Sequence, residues 1–461
     1  MRKALFSILV ILTVNHLSHP QSGTYADFQS LSIHNTTIFG ENMTFWNGDT
    51  LWGWVHANDQ IGIMQSPVFY GRVTTSASSF WQGPSYNPIF VNYPPQFNYP
   101  LVQLPTNLDE LRYYAIIQNH YYQSEGDQFR LWFKGNNGWE MWKWPMGLPY
   151  FDTLAVCIGN YGVGENRVIF AEGELQVLAT QPSEVPGNPG VDYGIMGRYS
   201  VAAAGNIWIM DNLRFVDSNI MNGAVDQSTQ NMLGLLSEKN IIIANTWENG
   251  RDNGGAQSSE WREDVIINAH LMALGESFTF EDQNDVLTAY GGTLPWWYYS
   301  NGPSPDERGS IHLWGSICQY RRGYVHRNSQ SGSRGYLKDY HLLSPETYQP
   351  PPYYPYFGYG LNFSTTSLNF GEVEIGDTEL RTLIISNPST FAPVQITGIA
   401  SSNPCFVGQL VGGPYIQPFG NYLFRVYFAP ADTIEYEETV TISTDYDDYE
   451  IAVYGEGVAE E

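Results

Sequence analysis

Between residues 361 and 461 apolar and polar positions alternate with a period of two. Phe424, Val426 and Phe428 fall on one side of a segment whose other side carries Arg425 and Tyr427. Val440 and Ile442 do the same against Thr439, Thr441 and Ser443. Alternation of this kind marks strands with one face on a core and one in water, and it predicts a β-sandwich from residue 361 to 461.

Upstream the pattern changes. Residues 27–348 carry short apolar pairs between Gly, Asn and Asp turns, as in Gly53-Trp54-Val55-His56-Ala57-Asn58 and in Ile207 and Ile209 after Gly205-Asn206. Val265 to Ile267, Phe278 with Phe280, and Ile311 with Leu313 continue the pattern. Strands this short are stable only when stacked on similar neighbours, which predicts a β-solenoid body with polar corners. Residues 104–165 break the pattern. Asp109-Glu110-Leu111 predicts the start of a short helix, and Gly135-Asn136-Asn137-Gly138 between two Trp-rich runs predicts a hairpin. This section reads as a β insertion against the body. Residues 349–360, with three consecutive prolines and several tyrosines, read as a stiff spacer ahead of the last domain.

Composition agrees with an all-β chain. Aromatic residues make up 15% and charged residues only 15%, with 45 Gly and 27 Pro, which favours strands and tight turns over helices. The net charge of −26 repels phosphate backbones and anionic membranes, so nucleic acid is not expected as a partner. Cys157, Cys318 and Cys405 form neither a zinc motif nor a disulfide framework; at most Cys157 could pair with Cys318, and buried free thiols are the favoured reading. Arg2 and Lys3 followed by the apolar run Ala4 to Val14 read as a signal peptide occupying residues 1–26, cut after Ala26. The run is short for a membrane span. An exported chain at the cell surface or in the envelope, with no integral span after cleavage, is expected.

Two resemblances add to this reading. Leu368-Asn369-Phe370-Gly371-Glu372-Val373, the strand ending at Asn387, Phe428-Ala429-Pro430 and the closing Gly455-Glu456-Gly457 resemble the ASH/Hydin-type immunoglobulin-like domains, called choice-of-anchor D domains in bacteria. The resemblance implies a non-catalytic module that holds, spaces or presents something. Asn387-Pro388 departs from the usual pattern at one turn. Residues 45–357 resemble an uncharacterised bacterial surface-protein family found among pilus-associated products. That likeness rests on Gly53 to Asn58, Leu233 to Asn240, Gly309 to Ser316 and Gly335 to Tyr340. It implies export and a solenoid body and says nothing of chemistry.

No catalytic motif is present. The nine histidines are scattered, and HExxH, P-loop and GxSxG patterns are missing. Neither a catalytic residue, nor a metal site, nor a cofactor is expected. Asp211, Asp217, Asp282 and Asp285 are the carboxylates that would have to converge in a polysaccharide-cleaving β-helix, although corner residues are also the expected place for Asp. Arg321 or Arg322 is expected to close an internal ion pair. Trp296, Trp297, Tyr298 and Tyr299, between Pro295 and Ser300, are the candidate binding surface, because four consecutive aromatics cannot all face inward from one strand; the alternative, and the commoner fate of such a run, is that it folds back to cap the solenoid core. The chain is therefore read as an exported, non-enzymatic surface or envelope protein. It would act in adhesion or assembly through protein or glycan contacts. A carbohydrate-active β-helix enzyme and a structural pilus- or filament-associated component are the alternatives.

Overall fold

The computed structural model describes residues 23–36, 40, 42–99, 101–148, 154–181, 191–226, 228–244, 249, 264–280, 307–329, 332–341, 350–357, 361–387, 393–417, 420–444 and 448–459. The chain is nearly all β, with multiple sheets. Asp109–Ile117 is the single α-helix among the described residues. No helix there is long and apolar enough to cross a membrane. The described residues fall into two compact units, 23–357 and 361–459.

In the first unit successive strands go to different sheets, and each pairs in parallel with a strand laid down one step earlier. Gly164–Ala171, Gly197–Ala203, Met232–Ser237, His270–Ala273 and Ile317–Arg321 stack in one nine-stranded sheet. Leu175–Leu178, Ile207–Ile209, Ile241–Ile243 and Phe278–Phe280 stack in a second. The register aligns like residues. Ile169, Val201, Leu235, Leu271 and Ile317 form one buried column. Val177, Ile209, Ile243 and Phe280 form another. Such columns explain why two apolar side chains per strand suffice: each is covered from above and below by its counterpart in the next step.

The corners are polar ladders. Asn240 donates from its backbone N and from Nδ2 to Asn206 Oδ1 at 3.1 Å, and its own Oδ1 accepts from Ser277 N at 3.0 Å. Side-chain amides thus satisfy turn N–H groups that the ladders leave free.

The stacking order is not the chain order. Phe28–His34 pairs in parallel with Ile317–Arg321 on one side and Trp54–Ala57 on the other. Residues 28–90 therefore continue the stack beyond the last of the later strands. At the far end, Asp127–Phe133 adds in parallel to Leu175–Leu178. It forms a seven-pair hairpin with Trp139–Pro145, onto which Val156–Tyr161 adds antiparallel. The helix and the hairpin expected between residues 104 and 165 are thus both present, and the hairpin lengthens a sheet of the body.

Both faces of the nine-stranded sheet are covered. Phe170, Ala202, Leu236, Met272 and Cys318 point away from the first core and are buried in a second one. Its other members include Leu111 and Ala115 of the helix, together with Tyr25 and Tyr354. This bears on two expectations and on the cysteines. The segment read as a spacer at 349–360 is packed on the body over its described part. Pro351, Pro352, Tyr354 and Pro355 are buried, Ser200 Oγ donates to the Pro352 carbonyl, and Tyr356–Phe357 pairs with Gly23–Thr24. Prolines suit this role because a strap across an already paired sheet has no ladder N–H to supply. The cut placed after Ala26 would remove packed residues, since Tyr25 and Ala26 are both buried. The Tyr25 hydroxyl donates to the Gln103 carbonyl, and Tyr25 N donates to the Pro355 carbonyl at 3.2 Å. Cys157 is exposed and Cys318 buried, and both are free thiols, as is Cys405.

The second unit has two sheets. Asn362–Phe363, Glu379–Ser386, Asn421–Phe428 and Phe406–Val411 form one. Ser367–Glu374, Asp448–Val458, Glu435–Thr444, Val394–Ser401 and Tyr415–Ile416 form the other. Leu383, Ile385, Phe424, Val426 and Phe428 from the first share a core with Val440, Ile442, Ile451 and Val453 from the second. The alternation along 424–428 and 440–442 is thus the division between core and surface.

Candidate functional site

Trp296, Trp297, Tyr298 and Tyr299 lie outside the described residues, as do Asp282 and Asp285. The other two carboxylate candidates are each taken up by hydrogen bonds to neighbouring corner segments. Asp211 is buried, accepting from the Thr180 hydroxyl and from Asn212 N at 2.5 Å. Asp217 accepts from Thr229 Oγ1 at 2.7 Å and from Asn231 Nδ2 at 2.9 Å. Arg321 makes the internal ion pair, with Nε 2.6 Å from Glu276 Oε1. Arg322 instead stacks over the Phe45 ring at 3.6 Å. No group of three His, Cys, Asp or Glu side chains among the described residues is arranged to hold a metal ion.

His56 and His270 are strongly perturbed for structural reasons. His56 is buried, with Nδ1 2.7 Å from Thr74 Oγ1 and Nε2 3.0 Å from Asn58 Oδ1. Burial pushes its pKa down to about 4. His270 is buried beside Ser316 Oγ at 2.9 Å and near the Tyr354 ring, and burial lowers its pKa to about 3. Both are neutral at physiological pH and covered from solvent, so neither is placed to exchange a proton with a substrate.

The structure does present an aromatic surface, in the stretch 50–93. Thr50–Leu51, Val68–Phe69 and Ile89–Phe90 stack in parallel, with Leu51 paired to Phe69 and Phe69 to Phe90. Leu51 and Phe69 point into a core. The next residue of each strand, Trp52, Tyr70 and Val91, therefore falls on the outer side. Trp52 is 43% exposed. Its ring lies flat on Tyr70, with centroids 3.9 Å apart and planes inclined by 3°. Two positions on, Arg72 is exposed, with its guanidinium 5.6 Å from the Tyr93 ring centroid. Ile89 and Val91 are exposed beside them. Parallel stacking brings equivalent residues of successive steps within about 4.8 Å of one another, which is why two aromatics 18 positions apart lie face to face. The signal was present in the sequence as Trp52-Gly53 and Tyr70-Gly71, an aromatic before a corner glycine. It goes unrecognised until the register is known.

Comparisons with known proteins add little to this site. No family model matches the chain. Transmembrane protein 131 homolog of Drosophila melanogaster is 28% identical over 97 residues, which is 21% of this chain and 6% of that protein. The chain therefore spans only a small part of the relative it matches. Among solved structures, the ASH/PapD-like domain 7 of human CEP192 is similar at a TM-score of 0.20 and 14% identity, covering 22% of this chain and 87% of that one. A protein of unknown function from Porphyromonas gingivalis W83 is similar at a TM-score of 0.20 and 16% identity, covering 28% and 61%.

Proposed function

We propose that the chain is an exported, non-enzymatic surface or envelope protein that acts in adhesion or assembly through glycan or protein contacts. In this reading residues 23–357 are a β-solenoid and residues 361–459 an ASH-type immunoglobulin-like sandwich. Parallel columns of like residues support the first assignment, and two antiparallel-rich sheets sharing one core support the second. The single observation that carries the function is the solvent-exposed Trp52–Tyr70 stack. A preformed aromatic pair loses little side-chain entropy on binding and offers the exposed part of its rings to a sugar or an apolar partner. Trp296, Trp297, Tyr298 and Tyr299 are proposed as a second aromatic contact of the same kind.

The test replaces Trp52 and Tyr70 together with Ala in the full chain and reads a glycan array beside a thermal melt. Binding should fall by tenfold or more, roughly the loss of 1.4 kcal/mol, with the melting temperature unchanged. Unchanged binding, or a melt lowered along with it, would sink the assignment of these two residues. Catalytic turnover of a bound polysaccharide would favour the enzyme instead.

A further inference from the structure

The two sheets of the C-terminal unit turn very different outer faces to solvent. In the sheet containing Glu379–Ser386, Asn421–Phe428 and Phe406–Val411, the register sets Leu380, Tyr427 and Val407 in one row. Thr382, Arg425 and Gln409 make the next row, and Ile384, Leu423 and Val411 the third. All nine alternate with the core residues and so point away from the core. Five of them, Leu380, Ile384, Leu423, Val407 and Val411, are apolar and between 36% and 56% exposed. The opposite sheet shows water what is expected of it: Glu435, Glu437, Thr441 and Glu450 on its outer positions. Strands with one face on a core place polar residues on the other face unless something covers it. One sheet follows that rule apart from Tyr415 and Tyr454, whereas its partner breaks it with five aliphatic residues in two rows.

The middle row identifies what covers it. Arg425 stands between the two apolar rows, and among the described residues its Nε has no hydrogen-bond partner and its guanidinium makes no ion pair. A guanidinium has only donors, so the missing group is an acceptor. Leaving such a donor unpaired is costly. The only other basic residue from Leu361 onward is Arg381, and it is ion-paired with Glu379. The face itself holds no carboxylate. A second copy docked through the same face would therefore set guanidinium against guanidinium, with only the neutral Thr382, Gln409 and Tyr427 as polar partners and no carboxylate to balance the charge. We propose that this face docks a partner protein segment whose apolar side chains cover the two outer rows and whose carboxylate pairs with Arg425.

The full chain serves as bait in a selection from displayed random peptides, and the best peptide is synthesised with its acidic residue intact, as the amide, and as Lys. Selected peptides should combine apolar residues with Asp or Glu. Arg425→Gln should weaken the acidic peptide by about tenfold or more, the scale of one desolvated charge pair. Arg425→Glu should restore binding to the Lys version. Leu423→Asp should abolish binding, whereas the Trp52→Ala, Tyr70→Ala chain should bind normally, which separates this surface from the aromatic one. Thermal melts confirm that each variant is folded. The proposal is overturned if no peptide is enriched, or if the amide binds as well as the acid. Insensitivity to Arg425→Gln or Leu423→Asp overturns it too. So does full-chain self-association that Leu423→Asp removes, because the face would then belong to a second copy.

Discussion

The two units solve the same burial problem in opposite ways. In residues 23–357 the nine-stranded parallel sheet is sealed on both faces: one core holds Val201, Leu235 and Leu271, and another holds Phe170, Leu236 and Met272. In residues 361–459 each sheet has one face on a shared core and one outside. A surface substitution therefore means different things in the two units. On the body sheet, both odd and even positions are core. On the C-terminal sheets, alternate positions are free to be polar, so an apolar residue there points to an occupant.

The largest expected effect concerns where the body begins. Tyr25 is fully buried and Ala26 nearly so, while Gly23–Thr24 is paired to Tyr356–Phe357. Cys318 Sγ also lies 3.2 Å from the Tyr25 carbonyl oxygen. A chain starting at Asp27 would lose this packing, a cost of roughly 3–5 kcal/mol for one large buried aromatic. Comparing thermal melts of chains starting at Gly23 and at Asp27 measures it. On the proposed reading of an exported chain, N-terminal sequencing should find the cut at or before Gly23, and an Asp27 terminus on a stable protein would break the picture of a fully sealed sheet.

Next in size is the test of the sealed outer face. Met272 points away from the first core yet is buried, so Met272→Ala should cost about 2–5 kcal/mol in urea unfolding. Ile384→Thr, on the outer face of the C-terminal sheet, should change stability by only about 0.5 kcal/mol. Equal effects at the two sites would mean that both sheets are covered, or that neither is.

The same contrast explains what could be read from the sequence. The C-terminal unit was legible because a half-covered sheet writes its geometry as alternation: Phe424, Val426 and Phe428 against Arg425 and Tyr427. In the body, Gly234, Leu235, Leu236 and Ser237 are all buried. With both faces covered, the run carries no period that separates inside from outside. The short strands and the Asn corners were still visible, because turn chemistry is local. The return of Phe28–His34 to stack beside Ile317–Arg321 was not, since that pairing joins segments almost three hundred residues apart and no local pattern encodes it. The proline segment hides its packing for a related reason. Pro350 to Pro355 has the composition of an exposed spacer, and only the sheet beneath it turns it into a strap. At the candidate site, Trp52 and Tyr70 are unremarkable alone and become a surface only through the register of their strands.

The smallest expected effect separates the units by pH. Seven of the nine histidines lie between residues 34 and 341 and none lies in 361–459, so of the two units only the body titrates through imidazole. His56 is neutral in the fold, with its pKa lowered to about 4 by burial, against about 6.5 when unfolded. A depressed value contributes stability that is complete above the unfolded pKa and is lost as pH falls through the folded one. For His56 the window is pH 6.5 to 4, and the loss is roughly 3 kcal/mol at its end. His270, lowered to about 3, adds to it in the same direction. Some body carboxylates act oppositely. Burial raises Asp27 and Asp59, and it raises Glu110 to about 7; such groups favour the fold at low pH and withdraw that support as pH rises through their folded values. The wild-type slope is the difference of these effects, so the informative measurement is a variant. His56→Gln keeps hydrogen-bonding groups for Thr74 and Asn58 and cannot titrate. Its urea midpoint should therefore fall less than the wild type's between pH 6.5 and pH 4.5, with the two curves parallel above pH 7. The unfolding transition of the C-terminal unit should be the same in both proteins at every pH. A variant that tracks the wild type through the whole window would mean that His56 is charged or solvated in the fold, and that the sheet is open where it is described as sealed.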